Sequence, residues 1–229
     1  MQNSNMPEFI ANEPALMIGG ALVIADLHIG IEYELLSRGF NIPDQSWAML
    51  GRIRKIFREN KCREIIINGD LRNRVWQTAR PAQDGISGFV RGLEKLGKVT
   101  VVRGNHDGRI EEYVKNVIPA TGFEYKGYWI MHGHAKAPAA AKNKTIIAAH
   151  IHPKVEFKDS LGGRISERVW IKSDHAIVMP HFNHLLGGTN VAQEELFAPM
   201  RGYIDPKKAE LYLMSGLHLG KISQLKVRK

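Results

Sequence analysis

Five polar clusters carry residue types that could do chemistry: Asp26-Leu27-His28, Gly69-Asp70, Gly104-Asn105-His106-Asp107, His132-Gly133-His134 and His150-Ile151-His152. They offer carboxylate, imidazole and amide oxygen but no thiolate, a mixture that suits Mn²⁺, iron or Zn²⁺ over softer metals. Alternate residues on an extended backbone share a face. Asp26 and His28 are therefore expected to reach one ion together, as are His150 and His152, or each serves one of two neighbouring ions. A single shared carboxylate is well suited to bridging two cations about 3.5–4 Å apart. Any one of these histidines alone is better read as a cap or a core residue. The recurrence of the pattern points to a metal.

Each cluster follows an apolar run that reads as a strand, and ligand sites in open α/β sheets gather at the carboxyl ends of strands. Residues 14–18 and 21–25 read as a hairpin turning on Gly19-Gly20. Further strands are expected at 64–67, 98–103, 121–125, 127–131 and 145–149, then at 154–158, 164–171 and 175–179, with two strand-like runs around Gly216. Helices are expected near 46–60, capped by Asp44 or Ser46, near 84–96, and briefly at 109–116. Helices alternate with strands in the first half and strands dominate the second, which implies two packed sheets with helices outside, a mixed α/β chain.

At 229 residues the chain is expected to form one domain, 1–229. Its 44% hydrophobic and 24% charged residues are ordinary globular values. The lone Cys62 allows no intramolecular disulfide and suits a reducing, cytoplasmic setting. No apolar run approaches the ~20 residues of a membrane helix, and residues 1–5 lack the pattern of a signal peptide. A net charge of +9 favours a polyanionic or phosphorylated partner, nucleic acid or nucleotide included, unless the protein is simply cationic.

The ordered series Asp26-x-His28, Gly69-Asp70, Gly104-Asn105-His106-Asp107, His132 and His150-x-His152 resembles the calcineurin-like metallophosphoesterase superfamily over roughly residues 14–180. Asp26-Leu27-His28-Ile29-Gly30, with Met179-Pro180-His181-Phe182-Asn183 and Gly187-Gly188, is similar to a small prokaryotic subgroup of ligase-associated and archaeal phosphoesterases. The resemblance implies a four-layer α/β/β/α sandwich of two β-sheets flanked by helices. It implies two divalent cations, manganese first, with iron, zinc or nickel as alternatives. Asp26, His28 and His152 would hold one, Asn105, His132 and His150 the other, and Asp70 would bridge them and share in catalysis. His106 would steady the phosphate and protonate the leaving oxygen, a task suited to a group whose ordinary pKa is near 6.5. The implied activity is hydrolysis of phosphate esters by metal-activated hydroxide, most simply as a phosphodiesterase or nuclease. A phosphomonoesterase for a small metabolite and a non-catalytic binding scaffold are the alternatives.

Two positions depart from the family pattern. Asn73 stands where an Asp or His often pairs with the catalytic imidazole, so it is expected to orient His106 without stabilising its charge. Ala149 takes a place commonly held by Gly. Arg72, Asn73, Arg74 and Trp76 follow Asp70 and could touch substrate through guanidinium forks and stacking, as could His134 beyond His132. His181 and His184 are expected to pack rather than ligate.

Overall fold

The computed structural model describes residues 5–73, 80–158, 161–193 and 200–225. In its first sheet β1 (Glu8–Phe9), β2 (Ala15–Ile18) and β3 (Ala21–Ile24) pair antiparallel. β3 then pairs in parallel with β4 (Glu64–Asn68), β4 with β5 (Lys98–Val102), and β5 with the edge strand β6 (Val117–Ile118). The β2–β3 hairpin turns where the sequence implies, on Gly19 and Gly20, both at positive φ.

Side-chain alternation along these strands makes two cores. Leu22, Ile24, Ile65, Ile67, Val99 and Val101 face outward onto α2 (Ser46–Glu59) and α3 (Arg80–Glu94). α2 supplies Met49, Leu50, Ile53, Ile56 and Phe57, a stripe at helical spacing, and α3 supplies Ile86, Phe89, Val90 and Leu93. Val23, Ala25, Ile66 and Val102 face the other way, against the second sheet. Each such aliphatic side chain, wholly buried, stabilises by about 1.5–3 kcal/mol.

The second sheet has β7 (Phe123–Tyr125), β8 (Tyr128–Ile130), β9 (Thr145–Ala148), β10 (Pro153–Lys158), β11 (Arg164–Lys172), β12 (Ala176–Val178) and β13 (Thr189–Asn190) in the order β13-β10-β11-β12-β9-β8-β7. β14 (Glu210–Leu213) joins along β11 and carries β15 (His218–Lys221). Ile130, Ile147, Ala149, Trp170, Ile177 and Met179 meet the first sheet. Its outer face is covered by Ala141, Met200, Ile204 and Ile222, which starts α4 (Ile222–Leu225). The two-sheet sandwich is thus as expected. Its outer layers are unequal: two long helices on one side, and 3-10 turns with one short helix on the other among the described residues.

Several elements differ from expectation. α3 begins at Arg80, earlier than residue 84. The helix expected at 109–116 is a 3-10 turn, Ile110–Glu112, entered from Arg109 at φ 58, which breaks helical continuity. α1 (Ile31–Ser37) and the two-residue strands β1, β6 and β13 are too short for sequence periodicity to signal. The N-cap of α2 is Gln45, which makes no side-chain cap, and neither Asp44 nor Ser46 holds that position; Asp44, one residue earlier, accepts the Ser46 N–H at its Oδ1 at 2.7 Å. No helix among the described residues is long and apolar enough to cross a membrane.

Cys62 sits at the foot of the helical layer, 8% exposed, and burial pushes its thiol up to about 11. A thiol-specific aromatic disulfide reagent at pH 8 is expected to react with native protein about 100-fold more slowly than with unfolded chain, because thiolate is the reactive form. Equal rates in the two states would show that Cys62 is not held in this packing.

Candidate metal centre

The two sheets point the ends of β3, β4, β5, β8 and β9 at one place. Beyond β3 and β4 the chains stay paired as they leave the sheet. Asp26 N–H donates to Gly69 O (3.1 Å), His28 N–H to Asp70 O (2.9 Å), Ile29 N–H to Leu71 O (2.9 Å) and Asn73 N–H to Ile29 O (2.9 Å). The first sheet reaches the second through Asn68, whose Nδ2 donates to Ile147 O at 3.2 Å. The segment after β12 closes the first loop: Phe182 N–H bonds Ala25 O, and the buried Asn183 donates from Nδ2 to Leu27 O at 2.8 Å. Asn68 and Asn183 act as supports, a role the sequence reading assigns to neither, although Asn183 closes the Met179–Asn183 motif.

The side chains are presented in a way the sequence does not suggest. Asp26, His28, Asp70, His150 and His152 all have positive φ, between 44° and 73°. They are therefore not alternate residues of an extended strand. Each leaves its strand through a left-handed step, which turns neighbouring side chains onto the same point. Such a step strains a residue with a Cβ and persists where the surroundings fix it.

Asp70 is the hub. Its Oδ2 lies 3.4 Å from His28 Nε2 and 3.2 Å from His132 Nε2. Its Oδ1 accepts the His106 backbone N–H at 2.9 Å. Asp26 Oδ1 is 3.3 Å from His152 Nε2, and Asp26 Oδ2 accepts the His150 N–H at 3.3 Å. Donors at about 2.1 Å from one cation stand about 3.0–3.4 Å apart, so these separations are those of shared ligands. Three groups each bring one ligand atom per residue to within 4.8 Å of one another: Asp26, His28 and His152; His28, Asp70 and His106; Asp70, His132 and His150. The first and third are the two sets expected from sequence, apart from Asn105, which lies exposed on the loop between Gly104 and His106.

Three imidazoles are oriented alike. His132 Nδ1 meets Asn68 O at 2.8 Å, His152 Nδ1 meets Gly187 O at 3.0 Å, and His28 Nδ1 meets Asn73 Oδ1 at 3.4 Å. A carbonyl at Nδ1 holds the proton there and leaves the Nε2 lone pair toward the centre. The Nε2 atoms of His28, His132 and His152 and Oδ1 of Asp26 are buried with no hydrogen-bond partner. Buried lone pairs converging on one space fit a cation pair.

The charges agree. Burial pushes Asp70 up, but the His132 and His28 charges outweigh it and hold its carboxyl well below the usual range. Asp26 is likewise held below its ordinary value against burial, by His152 and His132. Burial lowers His132, yet Asp70 and Asp26 raise it to about 9. Burial and the His132 charge bring His150 down to about 4. The extra proton on His132 is what a cation would displace, whereas His150 is already neutral, the form that ligates.

The remaining expected residues divide. His106 stands beside the centre with its ring 4.7 Å from that of His28. His134 is half-buried, 5.3 Å ring to ring from His132 and 5.7 Å from His150. Asn73 bonds His28 and, through Nδ2, Glu34 Oε2 at 2.9 Å, so it orients a candidate ligand where His106 was expected to be its partner. Arg72 is 4% exposed and donates to Gly108 O at 2.9 Å, holding the 107–108 loop instead of lining the open side. Arg74 and Trp76 lie outside the described residues. His181 packs as expected, its ring 5.1 Å from that of His152, and burial with the His152 charge lowers it to about 3.

The profile of the calcineurin-like phosphoesterase family matches residues 21–213. Among solved structures the chain is similar to the nuclease MPE of Pseudomonas putida, at 21% identity and a TM-score of 0.66, over 92% of this chain and 96% of that one. At that identity the likeness is one of fold. It is also similar to Yfce, a phosphoesterase from E. coli, at 14% identity and a TM-score of 0.44, over 88% of this chain and 97% of that one. No curated protein matches the chain.

Gly104 lets the β5 loop approach the hub, because a methyl group there would overlap the Asp70 carboxylate and amide. Wild-type protein titrated with Mn²⁺ is expected to gain about 2.7 kcal/mol of stability at 100 times the dissociation constant. Gly104→Ala is expected to lose most of that gain in a thermal-shift titration while still folding. A full metal-induced shift in the variant would mean that Asp70 is not the shared ligand.

Proposed function

The chain belongs to the calcineurin-like phosphoesterase family, and from that premise we propose that it is a dinuclear phosphodiesterase acting on nucleic acid, with Mn²⁺ as the metal of first choice. Family membership makes it a metal-dependent hydrolase of phosphate esters. The observation that carries the dinuclear reading is the division of Asp70: one carboxylate oxygen between the Nε2 atoms of His28 and His132, the other on the His106 backbone. In this reading Asp26, His28 and His152 hold one cation, Asn105, His132 and His150 the other, and Asp70 both. The metals supply an acidified water and neutralise phosphoryl charge when bound.

The chain's own residues do the rest. Asp70 sets where His106 stands through the 2.9 Å bond to its N–H, so the imidazole is positioned by the same carboxylate that would hold the metals. His106 delivers a proton to the leaving oxygen, and His134 contacts the phosphoryl group from the His132 side. The substrate class is supported by the +9 charge, which concentrates polyanions at the surface, and by a fold shared with a nuclease. The two sheets share one inter-sheet core, which supports reading residues 1–229 as a single domain.

With Mn²⁺ added, bis-p-nitrophenyl phosphate and single-stranded DNA are expected to be cleaved faster than p-nitrophenyl phosphate. His106→Ala is expected to lower kcat by about 10²–10⁴ with metal content unchanged. Preference for the monoester, with no competition by single-stranded DNA, would replace this reading with a metabolite phosphomonoesterase. Full activity in the variant would end the acid role of His106.

A further inference from the structure

The hairpin of β10 and β11 runs on past the body of the second sheet. Along β11, Trp170 faces the inter-sheet core while Val169 and Ile171 face the outer one. The same alternation sets Arg168, Ser166 and Arg164 on the Trp170 face, where residues 164–167 are exposed. On β10, Val155 joins the outer core, so Lys154 and Glu156 lie on the Arg168 face. The register pairs Lys154 with Arg168, Glu156 with Ser166 and Lys158 with Arg164. Among the described side chains that face carries three basic groups, Lys154, Arg164 and Arg168, to one acidic one, Glu156, which bonds Lys154 at 2.7 Å. Among the described residues Arg164 has no carboxylate partner. The reverse face, with Phe157, Ile165 and Glu167, is of different character.

The basic face begins at the metal centre. β11 runs antiparallel to β12, and the chain leaving β12 reaches His181 beside His152, so the free half of β11 lies at that end. Arg168 Nη1 donates to His181 O at 2.9 Å and to Phe182 O at 3.4 Å. Arg52, whose guanidinium lies 4.7 Å over the Phe182 ring, is near enough to repel the Arg168 charge. From Arg168 to Arg164 the strand advances about 13 Å, enough to follow several backbone charges of one strand.

We propose that this face of the β10–β11 hairpin, with Arg168 beside the metal centre and Arg164 toward its tip, is the track along which a nucleic-acid backbone leaves the scissile phosphate. The proposal rests on the nucleic-acid reading above. Charge selects this occupant: a second copy of the chain, itself at +9, is repelled by the same face. Recognition is of phosphates by arginine forks and carries no base sequence.

The test is the salt dependence of binding to a labelled single-stranded oligonucleotide, followed by fluorescence anisotropy without added divalent ions. Arg164→Ala is expected to weaken binding several-fold at low salt and to reduce the slope of log K against log salt by about 0.7, the release of one contact on a single strand. Arg164 is exposed, so the substitution is expected to leave folding within about 0.5 kcal/mol. Lys55→Ala, on an exposed face of α2, is expected to leave the slope unchanged. If wild type binds and Arg164→Ala matches it, or if Lys55→Ala lowers the slope equally, the track is overturned and the nuclease reading stands. If wild type hydrolyses small phosphate esters but neither binds nor cuts DNA, both fall together.

Discussion

One carboxylate has to be in contact with both halves of the sandwich. Asp70 follows β4 of the first sheet, yet its Oδ2 stands between His28, which follows β3 of the same sheet, and His132, which follows β8 in the second. The sheets can bring these atoms together only if they pack at one separation and one offset. The inter-sheet core of Val23, Ile66, Val102, Ile147 and Trp170 fixes both. Asn68 adds a direct tie, accepting from His132 and donating to Ile147 O across the gap. Packing of apolar side chains thus sets a distance that matters to chemistry several residues further along the chain.

The backbone bears the strain of this convergence. Strands arrive side by side, about 4.8 Å apart, with side chains pointing alternately to the two faces. Neither arrangement puts five ligand atoms on one point. The left-handed steps at Asp26, His28, Asp70, His150 and His152 do, at a cost of order 1–3 kcal/mol each. Hydrogen bonds hold the steps in place: the paired run from Asp26 to Asn73, and Asn183 on Leu27 O. Glycines do the complementary work. A Cβ at Gly69 would overlap the His132 ring, and one at Gly188 would overlap the His152 carbonyl. Around the ligands the chain is close-packed in backbone as well as side chains.

What the sequence disclosed follows from these constraints. Strand positions were legible because Val, Ile and Leu runs end abruptly at polar clusters, and ligand identities were legible because few reasons other than a metal place so many imidazoles at strand ends. The local conformation was not. Extended alternation and left-handed turning give the same pairing of Asp26 with His28, and only the backbone angles of the folded chain separate them. The partner of Asn73 was unreadable for a similar reason, since an amide five residues beyond β4 can reach either His28 or His106. Arg72 misled because a guanidinium following a ligand looks exposed in sequence, whereas its main chain pairs with Ile29 and draws the side chain under the loop. α1 was missed because it starts from a left-handed Gly30 with no side-chain cap and lasts seven residues.

Burial alone does not decide what a carboxylate does here, as Asp70 and Asp107 show. Both are all but inaccessible. Asp70 faces imidazoles, which hold it ionised and ready to share a cation. Asp107 meets the negative charge of Asp70 and is raised by burial and that charge to about 6. Its stabilising partners are backbone N–H groups, Gly104 at 2.8 Å and Arg72 at 3.2 Å. Its place is therefore that of a clamp, fastening the β5 loop to the β4 loop so that His106 and Asn105 are presented at a fixed height. The four residues 104–107 divide the labour by chemistry: Gly permits the approach, Asn and His are offered to the open side, and Asp locks the turn from beneath. A carboxylate moved between those two environments would change role without changing its accessibility, which is why the imidazoles, and not depth in the protein, define the metal centre.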